Sequence, residues 1–322
     1  MSTAKNMKTI RIHRCSLKGG IKPSPEFAKK KLANFAINVG TKCGHGCTYC
    51  STGAMLRCHS SFKEAKESPF EHGYAIIDPD MPAKVAHNAK HMRKRGQVQL
   101  CTTVDAWAPE AQEHDLGRRC LEAVLTEPGW TVRILTKNAA VAKDFAFIQK
   151  YRDRVLVGLS LTATPDKEDV MLAVEPNASP ISERMAVLQR AHTMGLRTYG
   201  MLCPLLPGIA DAPEEIDRLV RFCKDIGVEE VFAEAVNPRG AGLQLTEETL
   251  RAAGFAAEAD AAHLIRNGKT WSAYVAKLVE SVQAAMRSHG MIDALRFLLY
   301  PKGLEMPDSA RIKADDQGVI WL

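Results

Sequence analysis

Alternation of short apolar runs with amphipathic stretches restricts the fold of this sequence more than any other feature. LANFAINVG (32–40), QVQLCTTV (97–104), WTVRILT (130–136), RVLVGLSLT (154–162), LRTYGMLCPLLPG (196–208) and VEEVFAEAV (228–236) read as buried strands. Between them lie stretches with helical spacing. APEAQEHDLGRRCLEAVLT, for instance, sets Leu116, Cys120, Leu121, Val124 and Leu125 on one face. Gly195 and Gly227 close two of these helices, as a left-handed stop does. Six strand–helix alternations with short links mean a parallel sheet with crossover helices, either a barrel or a doubly wound sheet. No Gly-x-Gly-x-x-Gly follows the first strand, so the dinucleotide-binding fingerprint is missing. The pattern predicts an α/β protein built on a partial (β/α)6 TIM-type barrel over residues 32–240, after an N-terminal arm of residues 1–31. Residues 241–322, which include TWSAYVAKLVESVQAAMRSHG, are expected to form a mostly helical extension over the barrel. Residues 51–80 show no clear period and read as a long functional loop.

The charge is unevenly placed. Of a net +6, residues 1–31 hold nine basic side chains against the single acid Glu26, so +8 lies there and −2 in the remainder. A second basic knot, KHMRKR, spans Lys90 to Arg95. Such asymmetry suits a polyanionic partner, and nucleic acid contacted through the basic arm is the expectation. No apolar run approaches the roughly 18 residues of a membrane helix, and MSTAKNMKTIRIHRC has no apolar core of a secretory signal. A cytoplasmic protein without a membrane partner is therefore expected, and nine cysteines there are not a disulfide framework.

Three of those cysteines are clustered in CGHGCTYC, at Cys43, Cys47 and Cys50, directly after the first strand. A structural zinc ion takes four ligands, and His45, Cys58 or His59 could complete such a set. A [4Fe–4S] cluster held by three thiolates instead leaves one iron open to the amine and carboxylate of a small molecule such as S-adenosylmethionine (SAM). In an α/β barrel the chemistry sits at the C-terminal strand ends. Cys101, Thr103 and Asp105, Thr136 and Lys137, Ser160 and Thr162, Cys203, and Glu234 stand at those ends here. His45, between the cysteines, is expected to be exposed. Asp105 and Glu110 are expected to order the loop after the second strand, and Glu234 and Asn237 to face the same rim.

The C-x3-C-x2-C spacing, with Tyr49 just before the last cysteine, resembles the radical SAM superfamily. CTTVDAWAPE, ILTKNAAVAKDF and the stretch from GLSLTATPDKEDVMLAVEPNAS to LCPLLPGIAD are similar to the branch of spore photoproduct lyase and DNA-repair-photolyase-like proteins. The segment with Glu175, Pro176, Pro180 and Arg184 is typical of that branch. The resemblance covers residues 33 to about 236 and implies a barrel of the radical SAM type. It implies that Cys43, Cys47 and Cys50 hold a [4Fe–4S] cluster and that SAM binds beside it. Tyr49 would pack by adenine, Thr103 would reach the methionine end, Lys137 would pair with the SAM carboxylate and Ser160 would contact the ribose or methionyl part. Cys101 opens a Cys-Thr-Thr-Val-Asp stretch resembling the lyase's Cys-Thr-Ser-Asp, whose cysteine returns a hydrogen atom to the substrate radical; Cys203 is a second candidate donor. Ser51 stands where the family carries a tyrosine implicated in hydrogen transfer, so that relay differs here.

The implied activity is reductive cleavage of SAM to a 5′-deoxyadenosyl radical that abstracts hydrogen, with a nucleic-acid base as substrate and flavodoxin or ferredoxin as electron donor. A peptide or small-molecule substrate is the alternative within the superfamily. A non-catalytic zinc- or cluster-binding nucleic-acid module is the alternative outside it.

Overall fold

The computed structural model describes residues 10–238 and 240–322. Residues 1–9, with Lys5 and Lys8 of the basic segment, and Arg239 lie outside the described residues. Twelve strands are described: β1 (Arg11–Arg14), β2 (Lys22–Pro23), β3 (Phe35–Ile37), β4 (Gly40–Lys42), β5 (Tyr74–Ile77), β6 (Gln97–Leu100), β7 (Thr131–Thr136), β8 (Val155–Ser160), β9 (Arg197–Leu205), β10 (Val231–Ala235), β11 (Leu295–Leu299) and β12 (Val319–Trp321).

Nine of them form one sheet in the order β12-β11-β10-β9-β8-β7-β6-β3-β2. Every pairing in it is parallel except β2 with β3. Parallel strands covered on both faces need continuous apolar side chains rather than alternation. VLVGLS of β8 is accordingly buried at every position. Helices such as Leu116–Leu125, Ile181–Thr193 and Pro213–Asp225 make the crossovers.

The inner face is filled early in the strands and open at their ends. Arg133 of β7 stacks its guanidinium 4.6 Å from the Tyr199 ring and 5.1 Å from Phe232, and pairs with Glu230 at 2.8 Å. Gly158 of β8 makes room for that stack, since a Cβ there would lie 2.3 Å from the Tyr199 ring. Beside it Leu156, Met201, Leu298 and Ile320 form an apolar cluster with Leu32 and Phe27. The strand order does not return on itself, and Phe27 and Leu32, just before β3, pack against side chains of β11 and β12 at the far edge.

The C-terminal segment is mostly helical, with Gly242–Ala252, Ala256–Leu264, Gly268–Ser288 and Met306–Ala314. It also supplies β11 and β12, which extend the parallel sheet beyond the six expected strands. Residues 51–80 are more ordered than the aperiodic sequence suggested. They hold short helices at Thr52–Met55 and Ser60–Ala65, and β5 pairs with β1 and β4 in a small separate sheet. Helices of four to six residues complete too few turns to show a period.

The basic segment folds onto the body where it is described. Arg11 and His13 bind Glu67, while Lys30 turns its ammonium toward Phe27 and Tyr300, 5.2 Å from each ring centre. In the KHMRKR knot, Arg95 satisfies the Lys90 and Pro128 carbonyls and so finishes a helix end.

Candidate active site

The C-terminal ends of the strands surround a cavity of about 840 Å³. Cys43, Cys47, Tyr49, Cys50, Cys101, Thr103, Lys137 and Ser160 all line it. The structure therefore gathers these eight residues from four separate stretches of sequence. Ser51, Cys203, Glu234 and Asn237 line it as well.

The cysteine loop leaves β4 and is held from several sides. Glu110 accepts from the Gly44 amide at 2.8 Å, Asn177 donates to the Gly44 carbonyl at 2.8 Å, and the Thr48 amide donates to the Val174 carbonyl at 2.9 Å. The Thr48 hydroxyl meets that of Thr246 in the C-terminal segment at 2.8 Å. A Cβ at Gly44 would lie 2.1 Å from the Ile10 side chain and 2.8 Å from the Glu110 carboxylate, so both would have to shift to admit one.

Beneath the loop lies a fully buried charge network. Glu175 binds Arg184 and accepts from the Tyr49 hydroxyl. Arg184 also donates to the carbonyls of Ser179 (2.7 Å) and Ser160 (3.1 Å). Tyr49 thereby has its ring fixed 5.8 Å from the Lys137 ammonium. Lys137 also reaches the Ser160 hydroxyl at 3.3 Å. Burial works against the Lys137 charge, but the Glu175 carboxylate outweighs it and raises its pKa. Burial likewise opposes the Glu175 carboxylate, yet Arg184 and Lys137 hold it ionised. The result is a half-buried cation facing the cavity with its charge secured, able to receive a carboxylate.

Asp105 orders the loop after β6. It accepts from the Thr136 hydroxyl and from the Lys137 and Trp107 amides, each at 2.8 Å. Asn38 holds the Thr102 and Thr103 amides at 2.7 and 3.0 Å. His45 differs from expectation: it is 2% exposed, with Nδ1 3.6 Å from Asp105. Its pKa is lowered, chiefly by burial, so the ring is neutral. The loop folds back onto Asp105 rather than presenting the imidazole to solvent.

The Cys43 and Cys47 thiols are protonated without a metal. Burial, then Glu110, pushes Cys43 well up; burial, then Glu175, pushes Cys47 to about 12. Deprotonation there depends on a bound metal. The proposed fourth ligands for zinc point elsewhere: His45 faces Asp105, His59 binds Ser61 at 2.9 Å and Cys58 is exposed. Among the described residues no three His, Cys, Asp or Glu side chains gather about one ion position. Three thiols spread round a cavity wall fit a polynuclear cluster, whose irons are bound one thiolate each. Cys101 is 4% exposed, and burial raises its pKa well above the usual thiol value, leaving an S–H group at neutral pH. Cys203 places its sulfur 3.5 Å from Glu234.

Glu110 and Asp105 were recognised in the sequence. The grip of Glu175 and Arg184 on Tyr49 was visible only as a family-typical segment. The roles of Asn38 and Asn177 had no sequence signal, because each acts across a long chain separation.

A fold of parallel strands with this cysteine loop at its rim defines a class. The Radical SAM superfamily model matches residues 37–223, and the chain belongs to that superfamily. Among individual proteins, an uncharacterised protein of Acidianus two-tailed virus is 26% identical over 231 residues, covering 69% of this chain and 73% of its own. An uncharacterised protein of Methanocaldococcus jannaschii is 21% identical over 179 residues, covering 56% and 63%. Of solved structures, spore photoproduct lyase complexed with dinucleoside spore photoproduct superposes with a TM-score of 0.52 at 15% identity, over 77% of this chain and 68% of that one. A mutant of that lyase with bound AdoMet and dinucleoside spore photoproduct gives 0.51 at 14%, with the same coverage. These likenesses show a shared fold. No helix of the described residues is long and apolar enough to cross a membrane.

Proposed function

We propose that this protein is a radical SAM enzyme acting on a nucleic-acid base. One observation carries the reading: the three cysteines, Tyr49, Thr103, Lys137, Ser160 and Cys101 line a single cavity at the strand ends of a superfamily fold. Cys43, Cys47 and Cys50 would hold a [4Fe–4S] cluster, which supplies the electron that splits a sulfur–carbon bond of SAM and releases a 5′-deoxyadenosyl radical. Lys137 would hold the SAM carboxylate by a charge-assisted hydrogen bond, with Ser160 beside it and Thr103 at the methionine end. Tyr49, locked by Glu175, offers a flat wall for adenine. The cavity walls exclude water from the radical. Cys101 keeps a hydrogen atom available: its S–H breaks as a substrate C–H forms, leaving a thiyl radical that regains its hydrogen from a later reductive step. A flavodoxin- or ferredoxin-like protein would supply the electrons.

The net charge of +6 and the likeness to a lyase solved with a dinucleoside support a nucleic-acid substrate. The cavity also admits a peptide side chain or a small molecule, and the assay separates these. Anaerobic reconstitution followed by dithionite and SAM should yield 5′-deoxyadenosine by chromatography, and Cys43→Ala should reduce it to background. Equal yield from Cys43→Ala, or zinc in place of iron and sulfide, removes the enzyme reading. Retention on DNA that weakens steeply with salt supports a nucleic-acid substrate; retention indifferent to salt points to the alternatives.

A further inference from the structure

Lys42 ends β4 immediately before the first cysteine, and its surroundings are unlike those of the other cations nearby. It is 5% exposed. Its ammonium donates to the Pro69 carbonyl at 3.0 Å and lies 5.5 Å from the Tyr74 ring. Lys137 and Arg184 share Glu175, whereas among the described residues no carboxylate reaches Lys42 within ion-pair distance. Lys42 directly precedes Cys43 in the chain and lines the same narrow cleft as Cys50. His72, which lines the same narrow cleft, adds no positive charge. Both its ring nitrogens are buried without partners, and burial, followed by Lys42, lowers its pKa to about 4.

A buried ammonium without an anion is disfavoured, because a carbonyl and a ring face replace only part of its hydration. A counter-charge would arise in the cysteine loop, whose thiols become thiolates when metal is bound. A cluster held by three thiolates is net negative and gains one further negative charge on reduction. A fixed cation in a medium of low dielectric therefore stabilises the reduced form more than the oxidised one.

We propose that Lys42 is the counter-charge of the cluster and sets its reduction potential, so that a protein donor can deliver the single electron. This rests on the proposed cluster site. Lys42 is a positioning residue: it touches neither SAM nor substrate. Lys137, by contrast, has its charge engaged by Glu175.

The test is an anaerobic redox titration of the reconstituted full chain, followed by electron paramagnetic resonance, for wild type, Lys42→Gln and Lys42→Arg. Glutamine keeps an N–H donor for the Pro69 carbonyl and removes only the charge. The expected result is a more negative midpoint for Lys42→Gln at unchanged iron and sulfide content, and a midpoint near wild type for Lys42→Arg. A wild-type midpoint in Lys42→Gln overturns the proposal. Should Lys42→Gln hold no iron, Lys42→Met is titrated in its place. Loss of iron from both neutral variants with retention by Lys42→Arg supports the counter-charge, and loss from all three makes the side chain's shape decisive and overturns it. Wild-type protein that takes up no iron and sulfide defeats the cluster site itself, an outcome separate from any of these.

Discussion

At residue scale the site depends on charges buried in pairs. Arg184 and Glu175 are 1% exposed each, and together they fix Tyr49 beside the cysteines. Arg184→Met leaves Glu175 ionisable and unpaired inside the protein, which should cost about 3–5 kcal/mol in a urea titration. Replacing both partners by apolar residues should cost less than the single change, since no lone charge then remains. His72 gives a pH dependence of definite sign. Unfolded, its imidazole takes a proton near 6.5; folded, it does so only near 4. Between those values the unfolded state binds more protons, so stability is full above about pH 6.5 and falls as pH drops toward 4. His72→Asn should flatten that decline, read as the difference in urea midpoint between pH 7 and pH 4.5.

At the scale of elements, the barrel interior is set by one small residue opposite one large one. Gly158 faces the Tyr199 ring, which is held by its hydroxyl bond to the Ile134 carbonyl at 2.9 Å and by the Arg133 guanidinium. The ring has no direction in which to give way. Gly158→Ala should therefore destabilise by about 1–3 kcal/mol through overpacking, measurable as a lower urea midpoint with unchanged slope. The six central strands were legible in the sequence because each is a continuous apolar run between helix stops. β11 and β12 were not, although LRFLL follows a helix that ends at Ser288, with Gly290 beyond it, as the earlier strands do. The long helix Gly268–Ser288 dominated that region and hid five residues of strand. The cysteine loop was legible from spacing alone. Its clamps were not, since Glu110, Asn177 and Thr246 meet it across 66, 133 and 198 residues of sequence separation.

Metal bound at the proposed cluster site would couple to the folding of the whole molecule. The cysteine loop contacts residues from the second, fourth and C-terminal segments, so ordering it by metal should tighten the entire barrel. Reconstituted protein should melt at a higher temperature than the metal-free form. The increment should vanish in Cys47→Ala while the metal-free melting temperatures stay close. An equal increment in both would mean that the added iron stabilises through some other place.

The seam of the sheet has a consequence for how the molecule is made. Phe27 and Leu32, before β3, share one apolar cluster with Leu298, Ile320 and Leu322 at the other edge of the sheet. The inner wall beside β10 has no far side until these two distant segments meet. The space at the strand ends is therefore bounded on that side by contacts of very long sequence separation, the kind whose loop-closure cost makes them slow to form.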